Sequence, residues 1–220
     1  MEAGKRAGRL IGVCIVIQMA LGPLVNFVLE APLFGPPGFL VKAVPHAQEI
    51  AVAVVLSIVM EALWLAMAVA AFNVFSLRAQ GLALWFVALA TVVLASAVLE
   101  NVTVMSMVSL SEAYAAASAV QREQIETVRV VVASARNWSH LLARISDGCA
   151  IFSFNALLYR LAAVPRPIAG FGLVASLLMI TGLGVALFGG DVVFPLLAPL
   201  GLSQLILAVW LLAKGFSMQS

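Results

Sequence analysis

The segment from Asn137 to Asp147 is polar along one side and runs directly into an apolar segment. It reads Asn137-Trp138-Ser139-His140-Leu141-Leu142-Ala143-Arg144-Ile145-Ser146-Asp147 and opens an apolar run from Gly148 to Val164. Its polar members Asn137, His140, Arg144 and Asp147 recur every three or four residues, so a helix places all four on one face. Ionisable side chains in a membrane span are costly and usually face the bundle interior or a water-filled cavity. This face is therefore the first candidate for a functional site.

The composition of the chain is that of an integral membrane protein. Of its 220 residues, 64% are hydrophobic and only 10% are charged, and the mean hydropathy is +1.13, which no ordinary soluble domain reaches. The apolar stretches are continuous and not alternating, which argues against a β-barrel. We expect an all-α fold, a polytopic transmembrane helical bundle in a single domain over residues 1–220. The net charge of +2 and the lack of a basic run make nucleic acid an unexpected partner.

Apolar runs of about 20 residues, the length with which a helix crosses the hydrocarbon core, recur along the chain. We predict about six spans, over Leu10–Leu29, Gln48–Phe75, Leu82–Val108, Trp138–Ala163, Phe171–Phe188 and Val193–Leu212. Gly22 and Pro23 are expected to bend the first span. The Pro- and Gly-rich connection Ala31–His46 cannot be a regular helix throughout. A short turn at Ser76–Gly81 is predicted to reverse the chain between the second and third spans.

The segment Ser109–Arg136 mixes charged with apolar residues, unlike the spans that flank it. Glu126 lies four residues after Arg122 and three before Arg129, so it can meet both on a helix surface. We interpret this segment as an amphipathic helical segment between spans three and four. A solvated helix that caps the bundle is favoured here over a functional lid.

The lysines and arginines in the connections predict an orientation. With the N-terminus in the cytoplasm, seven of them lie inside and four outside. The inner set is Lys5, Arg6, Arg9, Arg78, Arg160, Arg166 and Lys214, and the outer set is Lys42, Arg122, Arg129 and Arg136. Cytoplasmic loops carry the excess of Lys and Arg, so both termini are predicted to be cytoplasmic, in a cell (inner) membrane.

Polar side chains of several spans are predicted to gather at one depth and to line one cavity that opens outward. We expect Glu61, Glu100, Asp147, His140 and Arg144 to be catalytic, and Trp64, Asn101, Trp138, Asn26 and Thr103 to bind substrate. Three carboxyls face one certain cation, and an unpaired carboxyl in a low dielectric takes up a proton. That is the state a proton donor requires. The alternative is that Arg144 pairs with Glu100 or Asp147 only to hold helices together.

Metal and cofactor sites are not expected. His46 and His140 are the only histidines, they are far apart in sequence, and no Cys/His spacing resembles a zinc site. A divalent ion bound by carboxylates is the weaker alternative. The sequence also contains no Gly-rich phosphate loop and no nucleophile elbow.

The order of elements resembles a bacterial six-span integral membrane family of unknown function, the domain of unknown function four-three-eight-six. The likeness lies in the start of the first span, at Ala7-Gly8-Arg9-Leu10-Ile11-Gly12. It lies also in the end of the fourth, at Leu157-Leu158-Tyr159-Arg160 and Val164-Pro165-Arg166-Pro167-Ile168-Ala169-Gly170. This resemblance implies a fold and a membrane location but no activity. The layout is also similar to that of integral-membrane terpene cyclases, which use buried acidic residues, although their motifs are not evident.

Three functions of different class follow from these observations. The first is an intramembrane enzyme that performs acid–base chemistry, such as isomerisation or cyclisation, on a lipophilic small molecule, for example an isoprenoid or polyketide. The second is a proton-coupled small-molecule transporter, ranked lower because no broken-helix pair or repeat is seen. The third is a non-catalytic membrane subunit or sensor that docks through Ser109–Arg136. The bilayer is the expected partner, and the sequence leaves an oligomer open.

Overall fold

The structure is a computed structural model that describes residues 2–217, apart from the side chain of Ala3. Its helices are α1 (Glu2–Leu24), α2 (Ala31–Phe34), α3 (Phe39–Lys42), α4 (Ala47–Ala116), α5 (Ala119–Arg160), α6 (Arg166–Gly184) and α7 (Ala198–Lys214). A π-helical turn, Val25–Leu29, follows α1, and 3-10 turns occupy Val185–Phe188 and Phe194–Leu196. The described residues contain no strand, which confirms the all-α prediction.

The predicted set of about six spans agrees with the observed helices. Within residues 2–217, 5 helices are long and apolar enough to cross a membrane. One of them, α4, has 70 residues, which at 1.5 Å per residue is about 105 Å and far exceeds a hydrocarbon core of about 30 Å. Non-helical backbone at Ala79 (φ −151°, ψ 53°) divides α4 into two helices, inside the predicted turn Ser76–Gly81. The protein is therefore a multi-pass membrane protein.

The amphipathic segment predicted between the third and fourth spans is also present. It comprises the end of α4, a break at Ala117, and the exposed first turns of α5. At the start of α5, the side chain of Gln121 caps the backbone N–H of Ser118, which donates to Gln121 Oε1 at 2.9 Å. Arg129 Nε donates to Glu126 Oε2 at 2.8 Å on the solvent side, as the three-residue spacing predicts.

The contacts divide the chain into two compact units. Unit 1 combines the first helix up to Met19 with Glu61–Leu94 and the chain from Arg144 onward. Its core contains an aromatic series in which Trp64 packs edge-on against Phe86 (6.2 Å between centroids) and Phe86 stacks on Phe154 (4.9 Å). These contacts hold the two halves of α4 and helix α5 together.

Unit 2 comprises Ala20–Met60 and Ala95–Ala143. Its smaller core includes Leu33, Phe39, Leu40, Ile50, Val104 and Met107. The Pro-rich connection supplies the first three of these residues, on the short helices α2 and α3. That connection is thus packed and partly helical, as its composition allows. A single transmembrane domain stays a prediction.

The first span changes its geometry where Gly22 and Pro23 were expected to bend it. After Pro23 the backbone hydrogen bonds span five residues in the π turn Val25–Leu29. The N–H of Glu30 donates to Val25 O at 2.9 Å at the end of that turn. Single π turns inside helices are rare and frequently occur at functional sites. The carboxyl of Glu30, which immediately follows this turn, is buried.

Gly172 of α6 supplies a test of helix packing in unit 1. A methyl group at this position would overlap the side-chain amide of Asn155 on α5, which is fully buried and donates to Ile151 O at 2.9 Å. Since that amide is held in place, Gly172→Ala is expected to lower the free energy of unfolding by about 1–3 kcal/mol. Denaturant unfolding in detergent micelles measures this loss.

The matched control for that substitution is Gly184→Ala on the same helix. An added methyl group at Gly184 meets no atom within 4 Å, so the higher helix propensity of alanine, up to about 1 kcal/mol, is expected to leave stability unchanged or raised. Equal stability of Gly172→Ala and the wild type would show that the Asn155 contact does not restrict packing.

Candidate functional site

The Arg144 cluster, made of Glu61, Arg144 and Asp147, lies in unit 1. Arg144 Nη2 donates to Glu61 Oε1 at 3.1 Å, and Arg144 Nη1 lies 2.8 Å from Asp147 Oδ2. The Glu61 side chain is 1% exposed and that of Arg144 is 23% exposed. One guanidinium thus joins a carboxyl of α4 to a carboxyl one turn further along α5. This arrangement includes the Arg144–Asp147 pair that the sequence offered as a structural alternative.

The His140 cluster, made of Glu30, Glu100, Arg136 and His140, lies in unit 2. His140 Nδ1 lies 2.6 Å from Glu100 Oε1, which is a short charge-assisted contact. Arg136 Nη2 lies 2.9 Å from Glu30 Oε2 and 3.6 Å from Glu100 Oε1. The His140 side chain is 30% exposed, whereas that of Glu100 is 8% exposed. A buried carboxylate therefore orients a histidine that remains accessible.

The five predicted catalytic residues thus fall into two groups. Glu61, Arg144 and Asp147 meet in unit 1, and Glu100 meets His140 in unit 2. Each cluster contains two carboxyls around one guanidinium, and the His140 cluster adds an imidazole. Both are therefore suited to holding and exchanging a proton.

Glu30 is a member that the sequence prediction missed. It lies next to the end of the first apolar run, and a carboxyl at a span end is ordinarily taken for a solvated residue. In the structure it is 3% exposed. Burial raises the pKa of Glu30, the charge of Arg136 lowers that pKa, and the charge of Glu100 raises it again.

The site predicted from the sequence also omits Arg136. The orientation prediction places this residue among the outer cations, but it lies four residues before His140 and eight before Arg144. That spacing, visible in the sequence, puts it on the same face of α5. Its guanidinium is buried and lies over the ring of Phe34, 4.3 Å from the centroid.

The predicted substrate-binding residues have diverse surroundings. Asn101 is buried and donates to Ser57 Oγ at 3.2 Å and to Ala97 O at 2.8 Å. Thr103 donates to Glu100 O and lies 3.0 Å from Ser139 Oγ. These two side chains thus hold neighbouring helices in unit 2.

The other three predicted substrate-binding residues lie elsewhere. Asn26 donates to Gly22 O at 2.9 Å within the π turn. Trp64 is buried against Phe86 in the unit 1 core, and Trp138 is 47% exposed on α5. Their role in binding a substrate stays a prediction.

An open groove of about 660 Å³ lies in unit 2, and Asn101 is the predicted site residue that lines it. Its walls are mainly apolar, with Val54 and Ile58 on one side and Val102 and Met105 on the other. Glu100 precedes Val102 by two residues, which is about 200° around a helix. The groove and the Glu100–His140 pair are therefore on opposite faces of α4.

Among residues 2–217, no three His, Cys, Asp or Glu side chains are grouped so that they could hold a metal ion. In the His140 cluster the guanidinium of Arg136 lies between the carboxyls of Glu30 and Glu100, at the position a cation would need. The side chains of the two clusters supply groups that can hold a proton and stabilise charge.

Comparison with known proteins assigns the chain to a family but assigns it no activity. No curated protein and no solved structure matches the chain. A family model described as Domain of unknown function (DUF4386) matches residues 10–215, almost the whole sequence. The matched region includes both clusters and, apart from the start of α1, the apolar helices of the described residues. The chain therefore belongs to the DUF4386 family of membrane proteins.

Proposed function

We propose that the protein is an integral membrane enzyme that performs acid–base chemistry, an isomerisation or cyclisation, on a lipophilic small molecule such as an isoprenoid or polyketide. His140 and Glu100 form the pair that moves the proton. Such a reaction takes a proton from one carbon and returns one to another, so atoms and electrons balance without a cofactor. The apolar helices around the pair suit a substrate that arrives from the bilayer.

The observation that carries this proposal is the contact of 2.6 Å between His140 Nδ1 and Glu100 Oε1. A buried carboxylate that forms a hydrogen bond with one imidazole nitrogen selects the tautomer and orientation of the ring. The other ring nitrogen can then exchange a proton with a substrate. The 30% exposure of the His140 side chain gives a substrate access. Glu100 is itself held by Arg136 at 3.6 Å.

Within unit 1, the Arg144 cluster is a separate candidate for stabilising charge on a substrate. Arg144 is partly exposed, and Glu61 and Asp147 orient it from two helices. An oriented guanidinium stabilises negative charge that develops on a substrate such as an enolate. Glu61 and Asp147 remain candidates for an acid within unit 1.

The decisive experiment compares the lipids of membranes that contain the wild type or a variant. Cells expressing the wild type, His140→Gln or Glu100→Gln are extracted and profiled by untargeted mass spectrometry. We expect the amount of at least one lipophilic species to differ between cells expressing the wild type and cells without the protein. In cells expressing either variant, that amount is expected to equal the amount in cells without the protein. When isolated membranes are incubated in heavy water, the product is expected to carry deuterium from the solvent, because the proton is exchanged through His140.

His46→Gln is the matched control, since His46 Nδ1 also lies close to a carboxylate, 3.0 Å from Glu49 Oε2, but on the surface. Its lipid profile is expected to equal that of the wild type. If His140→Gln membranes keep the wild-type profile at equal protein level, the proposed enzyme is refuted.

A proton-coupled transporter is the second candidate. The observation that favours it is the recurrence of ionisable residues at 136, 140, 144 and 147 along α5, each in contact with an ionisable partner. Chains of protonatable groups within spans are typical of proton relays. Uptake into proteoliposomes that follows an imposed pH gradient, with no deuterium entering any lipid, would favour the transporter over the enzyme.

The proposed location is the cell (inner) membrane, with both termini in the cytoplasm. Support comes from seven cations in the connections on the side of the termini, against four on the other side. Reporter fusions to both termini test this orientation, and activity of a periplasm-specific reporter at either terminus would contradict it.

A further inference from the structure

Seven exposed cations lie at the ends of helices in unit 1. They are Lys5, Arg6 and Arg9 at the start of α1, Arg78 at the break in α4, Arg160 at the end of α5, Arg166 at the start of α6 and Lys214 at the end of α7. We name this set the basic end. Because neighbouring helices run in alternating directions, these starts and ends are expected at one end of unit 1.

Backbone contacts show that these helix ends meet. The space beside Gly215 is filled by the Cα and O atoms of Lys5, which would lie 2.7 Å from an added Cβ. The N–H of Ser217 donates to Ala163 O at 2.7 Å, between Arg160 and Arg166. The ring of Phe216 packs on Phe75, with centroids 4.9 Å apart, three residues before Arg78. All seven cations therefore surround one end of unit 1.

The negative charge of unit 1 lies mostly elsewhere. At the basic end of the described chain the carboxylate is that of Glu2, which lies 3.5 Å from Arg6 with both side chains more than 80% exposed. Glu61 and Asp147 pair with Arg144 inside the unit. Asp191 follows α6, at the opposite end from Arg166. The basic end therefore carries a strong net positive charge.

Unit 2 provides the contrast. Outside the His140 cluster its cations are Lys42, Arg122 and Arg129, and its exposed carboxylates are Glu49, Glu112, Glu123 and Glu126. Positive and negative charge nearly cancel there. The positive excess is thus a property of one end of unit 1, not of the whole surface.

We infer that the basic end binds the phosphate headgroups of anionic phospholipids. The seven cations border apolar helices, as where Arg9 directly precedes the run that starts at Leu10, so they lie at headgroup depth. Clusters of Lys and Arg beside a span attract anionic lipids, and guanidinium groups pair with phosphate through two parallel hydrogen bonds. Several cations around one end can hold headgroups from more than one side.

The test is lipid retention by the full chain in nanodiscs that contain phosphatidylglycerol and phosphatidylcholine. Native mass spectrometry counts the lipids that remain bound to the released protein. The wild type is expected to retain phosphatidylglycerol preferentially. In the triple variant Arg78→Gln, Arg160→Gln and Lys214→Gln the association constant is expected to fall roughly fivefold for each cation removed.

The matched control is the triple variant Lys42→Gln, Arg122→Gln and Arg129→Gln, which removes the same charge from unit 2 and is expected to retain phosphatidylglycerol as the wild type does. In the wild type the preference is expected to weaken as salt is raised, because salt screens exposed charges. Equal loss in both triple variants, or no preference in the wild type, would overturn the inference. Competition by millimolar inorganic phosphate would also overturn it, since it would indicate a site for free phosphate. None of these outcomes depends on the proposed enzyme activity.

Discussion

Replacing Arg136 by methionine is expected to lower the free energy of unfolding by about 3–5 kcal/mol, the usual cost of removing one partner from a buried ion pair. Arg136 Nη2 lies 2.9 Å from Glu30 and 3.6 Å from Glu100, and the three side chains are 8%, 4% and 8% exposed. Without the guanidinium, two carboxyls remain buried near each other. The contact with the ring of Phe34 is lost as well.

Arg129→Met is the matched control for that substitution. Arg129 Nε lies 2.8 Å from Glu126 Oε2, almost the distance of the buried pair, but the two side chains are 46% and 47% exposed. An exposed pair of this kind contributes at most about 1 kcal/mol. The difference between the two variants therefore measures what the buried contacts of Arg136 contribute beyond one exposed ion pair.

Denaturant unfolding in detergent micelles measures both variants, and a third variant separates the causes. Adding Glu30→Gln to Arg136→Met is expected to restore part of the stability, because it removes the Glu30 carboxylate whose ion-pair partner has been replaced. Equal destabilisation by Arg136→Met and Arg129→Met would mean that the His140 cluster is solvated and does not hold unit 2 together.

Replacing Phe216 by alanine is the second change with a large expected effect, about 3–5 kcal/mol of unfolding free energy. Its ring is 1% exposed and packs on Phe75 with centroids 4.9 Å apart. The neighbouring backbone is also fixed, since Gly215 adopts φ 67° and Ser217 donates to Ala163 O. The cavity left by the ring cannot close easily between such constrained segments.

Phe188→Ala is the control for Phe216→Ala, because the side chain of Phe188 is 91% exposed in the 3-10 turn that follows α6. A substitution outside the packed core is expected to change stability by about 0.5 kcal/mol or less. Thermal unfolding of both variants in the same detergent compares them. A melting temperature of Phe216→Ala equal to that of Phe188→Ala would show that Phe216 does not contribute to the core.

The sequence alone was sufficient to predict most of the secondary structure. The hydrophobic runs predicted the spans, and the short polar turn Ser76–Gly81 predicted the break that occurs at Ala79. Spacings of three and four residues predicted the Glu126–Arg129 contact and one face of α5. These features depend on neighbours within one or two helical turns, where periodicity determines which side chains meet.

The partners of the buried charges depended on the tertiary structure. Glu30 and Arg136 are separated by 106 positions in the sequence, so no local sequence pattern predicts that they pair. Glu30 is buried because the chain after the π turn packs against α5, and Glu100 pairs with His140 for the same kind of reason. Which carboxyl meets which cation depends on how each helix is rotated and shifted against its neighbours. Only packing between segments distant in sequence determines that rotation and shift, so only the tertiary structure could resolve the predicted constellation into the Arg144 cluster and the His140 cluster.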